Sequence, residues 1–149
     1  MEIVSFALCF EGNVQPAGDD SARMEVKASG QSVTLTAKIA EHGVEGSREL
    51  FEGHTAQFAS EVVSTGDTTF SEEGTIAYGN NNRIHFSTVG EGYIDGAPVD
   101  GLQHGAVTWR VDKGEGVFKG ASGLITSNFT VDQDGQLKDH QFATLFTKP

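Results

Sequence analysis

The chain has 149 residues, 37% of them hydrophobic, with 19 glycines, three prolines, a single cysteine and a formal net charge of −11 at pH 7. That length makes one domain over residues 1–149, large enough to bury a continuous core without disulfides or metal. The negative balance and the scattering of ten Lys and Arg residues disfavour nucleic acid and anionic lipid as partners, because both need a concentrated positive surface. No run approaches the length of a membrane span, and Met1–Glu11 lacks the basic start of a secretory signal, so a cytoplasmic protein is expected.

In chain order, Val4, Phe6, Leu8 and Phe10 share one parity, while Ile3, Ala7 and Cys9 make the other side apolar too. The first strand is therefore expected to be covered on both faces, with Cys9 a buried, inert thiol. Glu11–Ser21 reads as a surface loop. Ala22, Met24, Val26 and Ala28 then alternate with polar residues, Ser29–Ser32 reads as a turn, and Val33, Leu35, Ala37 and Ile39 as the returning strand. From His42 to His54 the pattern is ambiguous. Ser47 would cap a helical turn through Glu52 that Gly53 ends at once, so an irregular connection is expected.

Ala56, Phe58, Ser60 and Val62 resume strand alternation, and Thr65-Gly66-Asp67 turns the chain into Thr68–Phe70. A break at Gly74 is expected before a strand at Thr75–Tyr78. Gly79-Asn80-Asn81-Asn82 is a loop, since Gly and Asn both visit left-handed backbone. Arg83–Val89 forms the next strand, and Gly90 and Gly92 suggest a bulge before Tyr93.

The last third is the most legible. Val107, Trp109 and Val111 mark one face of a strand; Ile125, Ser127, Phe129 and Val131 mark the next. Asp132-Gln133-Asp134-Gly135 closes a tight turn, and Phe142, Thr144 and Phe146 return the chain. Eight to ten short strands with almost no helix must bury one face and dispose of two sheet edges. Closure does both, so an all-β, antiparallel up-and-down barrel of about eight strands is favoured over a two-sheet sandwich.

Between the first and second of the last three strands lies Gly114-x-Gly116-x-Phe118-x-Gly120-Ala121-x-Gly123. It resembles the turn-rich motif near the end of allene oxide cyclase-like barrels, the grouping that includes plant allene oxide cyclases, dirigent proteins and small bacterial barrels. The resemblance implies an eight-stranded barrel with an apolar lumen, oligomeric as a dimer or trimer, in which a reactive small molecule is folded or cyclised without a cofactor. It transfers no catalytic residues, because the motif lies in turns.

Residue chemistry narrows the field further. His42, His54, His85, His104 and His140 show neither a cupin-type His-x-His pair nor a His-Glu-x-x-His helix, so no metal is expected. Asp132–Gly135 lacks the closing Glu of a calcium loop and reads as a hairpin. No Gly-x-Ser-x-Gly elbow is present, and Cys9 has no base near it in sequence. Strand parity then selects candidates. Trp109, Phe86, Phe142, Phe129 and Met24, with the polar Thr88 and Ser127, are expected to line a ligand-binding lumen. His140 shares parity with Phe142, and Gln103 with Trp109, while Tyr93 follows a glycine kink at the barrel mouth. These three are the candidate catalytic groups, each able to polarise or exchange a proton with a ligand. His85 and Arg110 are expected to face outward.

Three functions fit this reading. The first is a cofactor-free isomerase, cyclase or lyase acting on a hydrophobic small molecule in the lumen. The second is a non-catalytic carrier or sensor of an apolar ligand. The third is a barrel packed shut, whose outer faces serve assembly only.

Overall fold

The computed structural model describes residues 1–51 and 53–149, apart from the side chains of residues 33–35. Ten strands follow one another: β1 (Glu2–Pro16), β2 (Arg23–Ala40), β3 (Gly43–Leu50), β4 (Ala56–Ser64), β5 (Thr69–Tyr78), β6 (Arg83–Thr88), β7 (Gly92–Gly96), β8 (Gln103–Glu115), β9 (Ser122–Val131) and β10 (Gln136–Thr147). The sheet order is β1-β10-β9-β8-β6-β5-β4-β2, and a further β1–β2 pairing closes it. β7 pairs with the same two neighbours as β6 and continues it beyond a break at Val89–Glu91. The result is a closed antiparallel barrel of eight strands. The only helical turn among the described residues is a 3-10 turn at Gly116–Phe118, and no helix is long and apolar enough to cross a membrane.

Alternation decides which side chains fill the barrel. Each strand of the barrel presents every second residue inward, and the apolar members of that inward set form one cluster, to which the exposed strand β3 contributes nothing. Its middle is packed by aromatic rings: Phe58 stacks on Phe86 at 5.4 Å, and Trp109 meets Phe86 at 4.5 Å and Phe58 at 5.6 Å. One end is filled as well. The glycine-rich segment from Gly114 to Gly123 turns β8 into β9 so that Phe118 falls on Tyr78, whose other side meets Phe6 edge-on. Towards the opposite end, where β1 finishes and β2 begins, the filling stops.

Several expectations are corrected. Ser29–Ser32 is not a turn: β2 runs straight through it, pairing first with β1 and β4 and then with β3. Gly30 serves close packing instead, because a Cβ there would stand 2.5 Å from the Phe10 ring. The returning strand is β3, in the region expected to be irregular. Ala37 and Ile39 are exposed on the projecting β2–β3 arm, while the Val33 and Leu35 side chains and Glu52 lie outside the described residues. Nor does Gly74 break β5. It lets the β4 backbone approach, since a Cβ would meet the Ala59 carbonyl oxygen at 2.2 Å. β1 is covered on both faces only at Leu8–Phe10; Ile3 is exposed.

The parity of β10 is also reversed. Leu137, Asp139, Gln141, Ala143 and Leu145 point inward and are buried, whereas Phe142 is 55% exposed on the outer face, with His140 beside it. Phe142 therefore does not line the lumen, and His140 does not face it. The expected hairpin at Asp132–Gly135 is present: Asp132 Oδ1 accepts the backbone N–H groups of Asp134 and Gln136.

Candidate functional site

The unfilled end of the barrel is a cavity of about 570 Å³. Its walls are apolar, with Met24, Val26, Phe58, Val62, Phe70, Ile94, Phe129, Val131 and Leu137 contributing, and its rim carries Gln15, Gln103, Asp132, Gln133 and Asp134. Three polar residues of its lining are buried: Glu72, Asp139 and Ser127. Such a volume, apolar except for a few convergent polar groups, has the form of a small-molecule site.

The two carboxyls are held differently. Asp139, 3% exposed, accepts from Ser127 Oγ at 2.6 Å and from Gln141 Nε2 at 2.8 Å, so each of its oxygens has a donor. Burial pushes its pKa up to about 6, and the two donors pull the other way. Glu72, 7% exposed, accepts only from Ser60 Oγ at 2.5 Å, on Oε2. Its Oε1 has no hydrogen-bonding partner among the described residues. Burial pushes Glu72 to about 8; Ser60 opposes this, while the charge of Asp139 adds to it. Both carboxyls are thus biased toward the protonated form, Glu72 more strongly than Asp139.

The barrel frame places Glu72 by an unusual route. Residues 69–70 of β5 pair with β7 and residues 73–77 with β6, so Glu72 lies opposite the break between those strands. Thr88, the last residue of β6, substitutes for the missing ladder: its Oγ1 accepts from the Glu72 N–H at 2.7 Å and donates to the Glu72 carbonyl at 2.8 Å. Beneath lies Trp109, whose buried indole N–H meets no acceptor at hydrogen-bonding distance yet favours the ionised form of Glu72.

Of the residues singled out from sequence, Met24, Phe129, Ser127 and Gln103 line this cavity. Phe86 and Trp109 form the packed layer, and Thr88 supports Glu72 instead of facing a ligand. Tyr93 is 48% exposed on the outside, its hydroxyl donating to Asp95 at 3.2 Å. His85 and Arg110 face outward as expected, His85 against Glu115 and Arg110 against Asp112.

His140 joins another outer-face group. Its Nε2 lies 3.8 Å from Cys9 Sγ, and Arg48 of the arm reaches both, at 3.3 Å from the sulfur and 3.2 Å from the imidazole. Cys9 is only 5% exposed, and burial pushes its thiol up despite Arg48, so the cluster is built for packing more than for nucleophilic attack. A more open groove of about 760 Å³ passes His140 and Phe142 on this face. It holds no buried ionisable group, and the lumen is the better site.

Sequence reasoning missed Glu72, Asp139 and Gln141. The signal for the last two was the second parity of β10, where Asp, Gln and Ala stand between Leu137 and Leu145.

Together these features define a closed β-barrel with one open lumen and a buried carboxyl pair at its floor. No family model, curated protein or solved structure matches the chain.

Proposed function

We propose that the protein binds a hydrophobic small molecule in the open half of the lumen and isomerises, cyclises or cleaves it by proton transfer, without a cofactor. The observation that carries this reading is the placement of Glu72 and Asp139 on one cavity floor in environments that separate their protonation states. Glu72 donates its proton to a heteroatom of the substrate, while Asp139 takes a proton from carbon. A double bond shifts between the two positions, and the carboxyls regain their starting states by proton exchange through the mouth. The apolar walls fix the substrate's shape and exclude water.

The likeness of the Gly114–Gly123 motif to allene oxide cyclase-like barrels is part of the same proposal, supported by the eight-stranded antiparallel frame that the motif helps to close. So is assembly as a dimer or trimer, which would cover the outward side chains of Ile3, Leu124, Phe142 and Phe146.

The test is native mass spectrometry of freshly purified protein, followed by denaturation and identification of the released molecule, then incubation of that molecule with wild-type, Glu72→Gln and Asp139→Asn protein. Conversion by wild type and its loss in both variants supports the enzyme. A ligand returned unaltered by wild type makes the protein a carrier, and a protein that takes up no apolar molecule overturns the reading.

A further inference from the structure

We infer that the molecule seated in the lumen is an apolar body bearing one basic nitrogen, held as an ammonium or iminium ion against Glu72 Oε1 and the Asp139 carboxylate. The inference rests on the reading of the open lumen as a ligand site and adds the charge of the ligand.

Three observations converge on it. First, the cavity has an uncompensated sign: Glu72, Asp139, Asp132 and Asp134 contribute to its lining, and among the described residues no Lys, Arg or His does. A ligand carboxylate or phosphate would enter with its charge opposed at floor and rim and with no cation to meet it. The protein's net charge of −11 extends the same field outward, which concentrates cations at the mouth.

Second, the floor is short of one donor. Asp139 has a donor on each oxygen, but Glu72 Oε1 has none among the described residues, although Glu72 is more than nine-tenths buried and lines the cavity. Among the described residues the buried side-chain atoms without a partner are Tyr78 Oη and Trp109 Nε1, so Glu72 Oε1 keeps some exposure to the cavity, where a ligand N–H can reach and pair with it.

Third, the indole N–H of Trp109 is buried without an acceptor and favours the ionised form of Glu72. A nitrogen that enters as the free base takes the Glu72 proton; one that enters already protonated releases that proton to water. Either route leaves the same pair, a carboxylate beside N–H⁺, which is the form of Glu72 that the Trp109 N–H favours. The first route is also the acid step proposed above, so a basic nitrogen suits the catalytic reading.

The experiment is calorimetric titration of the full chain with octylamine, octanol and octanoate, which share one apolar body and differ in charge. The expected order is octylamine tightest, octanol roughly tenfold or more weaker, and octanoate weakest. Asp139→Asn should erase most of the preference for amine over alcohol. The rim variant Asp134→Asn, which removes an exposed charge and no core contact, should reduce it by about two- to threefold, and this arm remains informative should Asp139→Asn fold poorly. Val131→Trp fills the cavity and should abolish binding of all three, whereas adsorption to the acidic surface would survive it. Octanol binding as tightly as octylamine, or octanoate binding tightest, overturns the charge inference and leaves the lumen reading standing. Binding of none of the three, or binding that Val131→Trp leaves intact, overturns the lumen reading itself.

Discussion

Thr88 Oγ1 holds both backbone groups of Glu72, accepting its N–H at 2.7 Å and donating to its carbonyl at 2.8 Å. One hydroxyl thereby does the work of a missing strand at the point where β6 gives way to β7. Thr88→Val, close in shape, leaves a buried donor and acceptor without partners and is expected to cost about 2–4 kcal/mol in urea denaturation. Thr88→Ser should recover most of that loss, and a Thr88→Val protein as stable as wild type would show that the bridge contributes nothing.

The lumen carboxyls set a pH dependence of unusual sign for acidic groups. Burial raises Asp139 from 3.8 to about 6 and Glu72 from 4.5 to about 8. Between the unfolded and folded values the native state holds more protons than the unfolded chain, so stability falls as pH rises through that window and levels off above about 8. The combined loss is on the order of several kcal/mol. Glu72→Gln keeps the shape and cannot ionise. It should be more stable than wild type at about pH 9 and little different at about pH 5, as read from denaturation midpoints. A parallel pH dependence in the two proteins would contradict the assignment.

Placement of the candidate residues separates the lumen from the outer face. Glu72→Gln and Asp139→Asn are expected to lower turnover of the lumen ligand by about a hundredfold or more, the usual scale for loss of a general acid or base. His140→Ala and Tyr93→Phe should leave it within about twofold, since neither side chain faces the cavity. Steady-state kinetics on the ligand recovered from the protein distinguishes the two groups, and a large effect of His140→Ala would move the site to the outer groove.

Gly30 lies directly under the Phe10 ring, where a Cβ would come within 2.5 Å. Gly30→Ala must displace a fully buried aromatic in the middle of the core, at an expected cost of about 1–3 kcal/mol by thermal or chemical denaturation. Gly46, on the exposed arm with open space around it, provides the control. Gly46→Ala should change stability by less than about 0.5 kcal/mol.

How much was legible from sequence depended on how unlike the two faces of each strand were. β8 and β9 alternate Val, Trp, Ile and Phe with polar residues, and their inward sets were read correctly. β10 offers Phe142 and Phe146 on one parity and Leu137, Ala143 and Leu145 on the other, with Asp139 and Gln141 between them. Aromatic weight pointed to the wrong face, because the barrel interior spends inward positions on a polar floor. Glu72 was hidden for a related reason. Gly74 read as a strand break, whereas the glycine admits a neighbouring backbone and β5 continues past it. Gly30 misled in the same way. A glycine that makes room for a ring and one that makes a turn look alike in a single chain, and only the register across the barrel tells them apart.

Among the described residues, the rings of Phe6, Tyr78 and Phe118 pack one end of the barrel and leave the opposite end as its doorway. Whatever enters past Asp132 and Asp134 must leave the same way, so substrate and product cannot occupy the chamber in passing, and each blocks the other. For an enzyme built on this plan product inhibition is competitive, and turnover at high product is limited by departure. For a carrier the same geometry means that exchange requires emptying first, with a replacement rate that does not rise with the concentration of the incoming molecule.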